Sequence, residues 1–272
     1  MNLIAIDFEF NQFFDFPYTK IKSDPRCSAE IIQIGAAKLD KNGNVIDRKR
    51  FFVKPKIYTR LHPYIERITK ISRVVLKESP YFTEIFEEFA EWLGDGKTTF
   101  LIWGPDDVKE LFTNILYYGM NSNLITKNYI NVQKMATKYL GNPNNAISLK
   151  TAVETFEIEP KEDRAYHDAL SDALYTADVF NHIISSEDFD KEHINIQKID
   201  IGLLKQSIMA RINEINIKPL FEFAQTRLRR KLSEKDKEAV LSIYNAGRRG
   251  RFDIRRGKEQ SQEAESSEPV ND

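Results

Sequence analysis

Apolar positions along this chain recur with two different periods, and the changes of period mark out its elements. The opening run Ile4-Ala5-Ile6-Asp7-Phe8-Glu9-Phe10 is apolar and β-branched, predicts a buried strand, and then sets two carboxylates one residue apart. A long polar and aromatic loop over 11–29 follows, of a length that in compact domains usually carries function. Residues 30–39 read as a second strand, 40–44 as a tight turn and 45–53 as its antiparallel partner. After Pro80 the spacing turns helical, with Phe82, Ile85, Phe86, Phe89 and Leu93 on one stripe closed by Gly94 and Gly96. A short β run over 98–103 turns at Gly104-Pro105-Asp106-Asp107 into a helix carrying Val108, Leu111, Phe112 and Ile115. A last strand is expected over 129–132, with helices over 131–140 and 148–156, the latter begun by Ser148 as N-cap. Residues 164–173 then lead a helix whose Ala169, Ala173, Ala177, Phe180 and Ile184 share a face, small enough to lie close against a sheet.

Antiparallel strands first, then strands alternating with helices, define a mixed α/β layer fold. The expected sheet has about five strands, the first three antiparallel and the rest parallel, flanked by helices. Beyond about residue 190 apolar periodicity continues through Leu203, Leu204, Ile208 and Ile212, then Leu220, Phe221 and Ala224. It resumes at Ala239, Val240, Ile243 and Tyr244 after a Ser233-x-x-Asp236 start signal. This predicts a small helical appendage over 189–257 behind a main domain at 1–188.

Composition narrows the class. With 272 residues, 41% hydrophobic and 11% aromatic, the chain is long enough for one sizeable core plus an appendage and is not wholesale disordered. A single cysteine, Cys27, excludes an internal disulfide or zinc cage, and no uncharged stretch is long enough to span a bilayer, so a cytoplasmic protein without a membrane role is expected. The net charge of −1 hides an uneven distribution: residues 227–258 hold 12 Lys/Arg against 4 Asp/Glu, whereas 259–272 hold 5 acids and no base. The segment 258–272 reads as a disordered acidic tail.

Side chains at i and i+2 of a strand share a face, so Asp7 and Glu9 project together and call for a hard divalent cation, Mg²⁺ or Mn²⁺. Two further acids stand at element ends, Asp107 (or its neighbour Asp106) and Asp172, with His167 five residues before the latter. Phosphodiester hydrolysis needs an activated water, a polarised phosphorus and a neutralised leaving oxygen, which two ions roughly 3.5–4 Å apart supply. In that scheme Asp7 bridges the ions, Glu9 and Asp172 complete one, and Asp107 reaches the second. His167 lies outside the cluster as general base, since an unperturbed imidazole titrates near ~6.5.

Asp-Phe-Glu at 7–9, Trp103-Gly104-x-x-Asp107-x-x-x-Leu111 and His167-x-Ala169-x-x-Asp172-Ala173 resemble the three motifs of the DEDDh 3′-to-5′ exonucleases. The pattern is most similar to the Eri-type histone-mRNA exonucleases and the KapD-like proteins, over residues 1 to about 185. Supporting fragments are Ile32-Gln33-Ile34-Gly35-Ala36, Phe52-Val53-Lys54-Pro55 and Ser148-Leu149-Lys150. The resemblance implies a ribonuclease H-like fold, Asp7, Glu9, Asp107 and Asp172 as ligands of two Mg²⁺ or Mn²⁺ ions, and His167 as base. It places Asp107 ahead of Asp106, and the histidine type ahead of the tyrosine type, whose tyrosine would stand at Asp168. It also implies an exonuclease that releases 5′-monophosphates from the 3′ end of single-stranded RNA, ahead of DNA. The alternatives are an exodeoxyribonuclease and a non-catalytic module that binds nucleic-acid ends. Where the family has Leu-Thr-Gly-Ile against the terminal nucleotide, this chain has Ile68-Thr69-Lys70-Ile71.

Expected substrate contacts are Phe10, which follows Glu9 out of the strand, then Thr69 and Lys70, and in the basic segment Arg248, Arg249 and Arg251. That segment is expected to hold the strand upstream of its 3′ end, because arginines with interspersed Tyr244 and Phe252 pair phosphates and stack on bases. Docking of an acidic protein partner is its alternative use.

Overall fold

The computed structural model describes residues 2–14, 23–94, 96–141, 145–187, 189 and 194–248, without the side chains of 213–216 and 245–248. The chain divides into two compact units, 1–208 and 209–272.

The first unit is built on β1 (Asn2–Gln12), which pairs antiparallel with β2 (Ala29–Leu39) on one side and parallel with β4 (Thr98–Ile102) on the other. β3 (Val45–Phe52) extends the antiparallel side, and β5 (Asn128–Asn131) the parallel side. A sixth strand, β6 (Ile196–Lys198), pairs antiparallel with β5, giving the order β3-β2-β1-β4-β5-β6. Three residues are too few to carry a periodic signal, which is why the sequence does not announce it.

Alternation along β1 sorts its side chains into two layers. Ile4, Ile6 and Phe8 join Ile31 and Ile34 under α3 (Phe82–Leu93) and α4 (Asp106–Tyr117), whose Phe82, Phe86, Phe89, Leu111, Phe112 and Ile115 are buried. Full burial of each such side chain contributes about 1.5–3 kcal/mol. Ala5, with Leu101 and Ile130, lies on the opposite face beneath α5 (Val132–Tyr139), α6 (Leu149–Thr155) and α7 (Ala169–Ser185). Ala173 and Ala177 are fully buried there. Ser148 caps α6 through the Thr151 N–H at 3.0 Å, as its position in the sequence predicts.

Two short helices, α1 (Pro63–Thr69) and α2 (Arg73–Glu78), go beyond what the periodicity predicts. They bury Leu61, Ile71 and Leu76 against Ile32, with Phe52 and Ile65 alongside. α8 (Ile201–Leu228) begins in the first unit, where Leu204 joins the core, and runs on into the second. α9 (Glu234–Arg248) starts with the anticipated reciprocal cap: the Ser233 N–H donates to Asp236 at 2.8 Å and the Asp236 N–H to Ser233 Oγ at 3.3 Å. The expected acidic tail at 258–272 lies outside the described residues. No helix among the described residues is long and apolar enough to cross a membrane.

Candidate active site

Asp7 and Glu9 continue the β1 face begun by Ala5, at the point where α7 starts. Two cross-strand rows organise the floor. Asp7 stands beside Gly35 and then Arg50, and Glu9 beside Gln33 and then Phe52. A bulge between Glu9 and Phe10 follows at once, so the strand bends as it leaves the site.

The start of α7 is tied to this floor. Asp168 is its N-cap, accepting from the Ser171 N–H and hydroxyl, both at 3.0 Å, from Gln33 Nε2 at 2.9 Å and from Arg50 Nη2 at 2.6 Å. Gln33 Oε1 also accepts the Ala169 N–H at 3.0 Å, so one amide grips both sides of the helix entry. Ahead of it, buried Arg164 pairs with Asp178 and lies 5.2 Å from the Tyr175 ring centroid, while Tyr166 stacks on the same ring. His167 between these anchors takes a left-handed conformation, φ 64°, and its backbone N–H donates to Asp172 Oδ2 at 3.0 Å. The imidazole remains exposed.

Asp107 arrives from the other side. Gly104, at φ 103°, turns the chain from β4 into α4 in a conformation that L side chains rarely adopt, and puts both aspartates in the first helical turn. They diverge: the Asp106 side chain is 87% exposed, 3.9 Å from Lys109, whereas Asp107 is among the charges acting on Asp7.

The electrostatics follow from crowding. Burial raises Asp7 well above the ordinary carboxylate range, and the nearby charges of Asp107, Asp172, Glu9 and Asp168 raise it further. Glu9 is pushed up to about 8 by burial and then by Asp172 and Asp107. Asp107 reaches about 8 through burial and then Asp106 and Asp172. Burial lifts Asp172 to about 7 against the His167 N–H, which favours its charged form. Asp168 is the exception: burial raises it, but the bonds from Ser171 and Gln33 and the Arg50 charge outweigh that and hold it low. It is an anchor, already committed to its partners.

These residues fit a divalent cation. Glu9, His167 and Asp172 each offer a ligand atom within 4.8 Å of the others. Among the described residues the buried Asp172 Oδ1 has no hydrogen-bond partner, an acceptor that a cation would satisfy.

The expected substrate contacts are spread out. Phe10 is half-buried, its ring centroid 6.1 Å from that of Phe8. Lys70 is exposed as the left-handed C-cap of α1, φ 59°, the conformation in which the family's glycine is favoured. Thr69 is buried, and its hydroxyl donates to the Ile65 carbonyl and accepts the Ile71 N–H, so it shapes the turn that presents Lys70. Arg248 ends α9 with its side chain undescribed, and Arg249 and Arg251 lie outside the described residues. Gln33 and Asp168 are positioning residues that the motifs pass over. Asp168 had a visible signal, an acid directly before a helical run, whereas the reach of Gln33 across the fold had none.

The exonuclease family RNase_T matches residues 4–180, and the chain belongs to it. The chain is 28% identical over 159 residues to the DNA polymerase III subunit epsilon of Rickettsia felis, covering 58% of this chain and 67% of that protein. Among solved structures it resembles the nuclease domain of 3′hExo, a DEDDh family member bound to rAMP, with TM-score 0.60, 20% identity and coverage of 73% and 97%. It also resembles Pop2p of S. pombe in its Mg²⁺- and Mn²⁺-bound form, with TM-score 0.52, 21% identity and coverage of 68% and 83%. The fold is the ribonuclease H-like one, and the protein is a hydrolytic exonuclease of a family that generally uses divalent metal ions.

Proposed function

We propose that this exonuclease removes nucleotides singly from the 3′ end of single-stranded RNA in the cytoplasm, releasing 5′-monophosphates. The carrying observation is the convergence of Asp7, Glu9, Asp107 and Asp172, three of them acting on Asp7, with His167 at the cluster's open side. Asp7, Glu9, Asp107 and Asp172 would hold two Mg²⁺ or Mn²⁺ ions, which would supply charge neutralisation and a more acidic water when bound. His167 takes the proton of the attacking water as the new P–O bond forms and the bond to the 3′ oxygen breaks. Its fixed backbone and exposed ring support that role. Phe10 stacks on the terminal base and Lys70 offsets phosphate charge. In the basic segment, Arg248, Arg249 and Arg251 grip the strand upstream or, alternatively, dock an acidic protein.

RNA is favoured by the Eri-like motifs and by the aromatic-rich exit of β1, since splayed bases are held by stacking. A second reading, single-stranded DNA, is favoured by the likeness to a DNA polymerase III subunit. Matched RNA and DNA oligonucleotides at one salt concentration, with Mg²⁺, Mn²⁺ or chelator, decide between them. Faster, metal-dependent shortening of RNA supports the proposal; preference for DNA reverses it, and tight binding without cleavage removes it.

A further inference from the structure

Next to the carboxylates the chain builds a second charged feature that the motifs do not include. Past β3, residues 54–61 form a loop fastened from beneath. Buried Glu30 accepts the backbone N–H groups of Lys56 at 2.6 Å, Ile57 at 3.0 Å and Tyr58 at 2.8 Å, and the Tyr118 hydroxyl closes on the same carboxylate. Asn11, two residues beyond Glu9, donates to the carbonyls of Tyr58 at 2.7 Å and Arg60 at 3.0 Å and accepts the His62 N–H at 3.0 Å. The loop that presents these side chains therefore has a fixed shape, and one strand carries both its anchor and two of the site's acids.

With α2 and Tyr81 this loop encloses a groove of about 420 Å³ lined by Lys54, Lys56, Arg60, Arg73 and Lys77 and by no acid. Arg73 is shared with Glu66 at 2.8 Å, and Lys54 Nζ lies 5.2 Å from the Tyr81 ring centroid. Lys56 and Lys77 make no ion pair among the described residues. A scattered basic surface is ordinarily just solvated, but like charges gathered around one concavity repel each other and favour an anion between them. Register sets its distance from the chemistry. Phe52 stands beside Gln33 and Gln33 beside Glu9, two inter-strand spacings or roughly 10 Å, and Lys54 follows two residues later. Leu61 and Leu76, which line the groove, pack with Ile32, and Phe52 lies alongside.

From this placement we infer that the groove binds the phosphates of the substrate strand a few nucleotides upstream of the 3′ end, with exposed Tyr81 available for a base. The inference rests on the single-strand exonuclease reading of the carboxylate site. Cations lining a narrow cleft beside a stacking ring suit a flexible polyanion. A folded acidic protein would need a broader face.

The test uses the full chain carrying Lys54→Gln, Lys56→Gln and Lys77→Gln, with a control carrying Lys41→Gln, Lys97→Gln and Lys198→Gln at the opposite end of the sheet. Thermal melts first establish that both are folded. Strand binding in chelator, followed by fluorescence anisotropy across a salt series, should show the groove variant's log–log slope shallower by ~2, at about 0.7 for each phosphate released. The control should move far less. With metal, the fall in KM between oligonucleotides of about 4 and about 16 nucleotides should shrink in the groove variant only. Equal slopes in the two variants, or no change in either, overturn the inference. So does a groove variant that keeps strand binding but loses binding to polyglutamate. If the wild-type chain binds strands through the groove yet cleaves none, the exonuclease reading fails while the groove assignment stands.

Discussion

Gly35 lies so close beneath Ala169 that a methyl group on it would come within 2.0 Å of the Ala169 carbonyl carbon. The glycine is needed for that approach and not for its backbone angles. It stands beside Asp7 in the sheet, so the contact sets the height of α7, and with it Asp172, over the floor.

Gly35→Ala should therefore lift the start of α7. Overpacking of this kind costs about 1–3 kcal/mol, and a displacement near 1 Å in a catalytic constellation can cost about 10²-fold in rate. Thermal denaturation and single-turnover cleavage measure the two effects. A variant with wild-type kcat would mean that α7 is positioned from elsewhere.

Gln33→Leu removes the amide that grips Asp168 and Ala169 while keeping the volume. Leaving those groups short of a partner costs about 1–3 kcal/mol. The rate should fall even where the protein remains folded, because His167 and Asp172 flank the loosened entry. A loss of stability without a change in rate would make Gln33 a purely structural residue.

Asp7→Ala should abolish turnover, whereas His167→Ala should lower it by roughly 10²- to 10⁴-fold and leave metal binding largely intact. Isothermal titration with Mn²⁺ beside the rate measurements separates the roles. Equal loss of metal affinity in both variants would remove His167 as base.

Stability in chelator should fall as pH rises from about 5.5 to about 8.5. Glu9, Asp107 and Asp172 have folded pKa values of about 8, 8 and 7, above those of the unfolded chain, so the folded state holds the extra protons in this window. The stabilisation those protons give is complete below the unfolded values and is lost as pH passes the folded ones. A decrease in Tm of roughly 5 °C is expected. Saturating Mg²⁺ should reverse the slope, since the ion binds deprotonated acids. A flat profile in chelator would mean the carboxylates are not mutually crowded.

Deleting 227–272 should weaken binding of long strands and flatten its salt dependence by ~0.7 of a log unit for each phosphate the segment no longer neutralises. An unchanged slope would assign the basic segment to another partner.

The parts of the site that were legible in sequence are those written in local order. The i, i+2 spacing of Asp7 and Glu9, the turn before Asp107 and the helix after His167 each show within a few residues. The helices over Ile32 were hidden because α1 and α2 have 7 and 6 residues, too short for a period, and α2 exposes Val74 and Val75. Gln33 to Asp168 and Glu30 to the 56–58 backbone were hidden for a different reason. Each joins residues far apart in the chain, and neither end has a composition that points to its partner.

That order along the chain has a consequence for the timing of synthesis. The strand bearing Asp7 and Glu9 is made before α7, yet its face is completed only when α7 has been made and docked. Any chain still short of Asp172 lacks one acid of the cluster, the carboxylate that accepts the His167 N–H, and the helix that covers the floor. A growing chain is thus expected to gain its full carboxylate cluster only after α7 is in place.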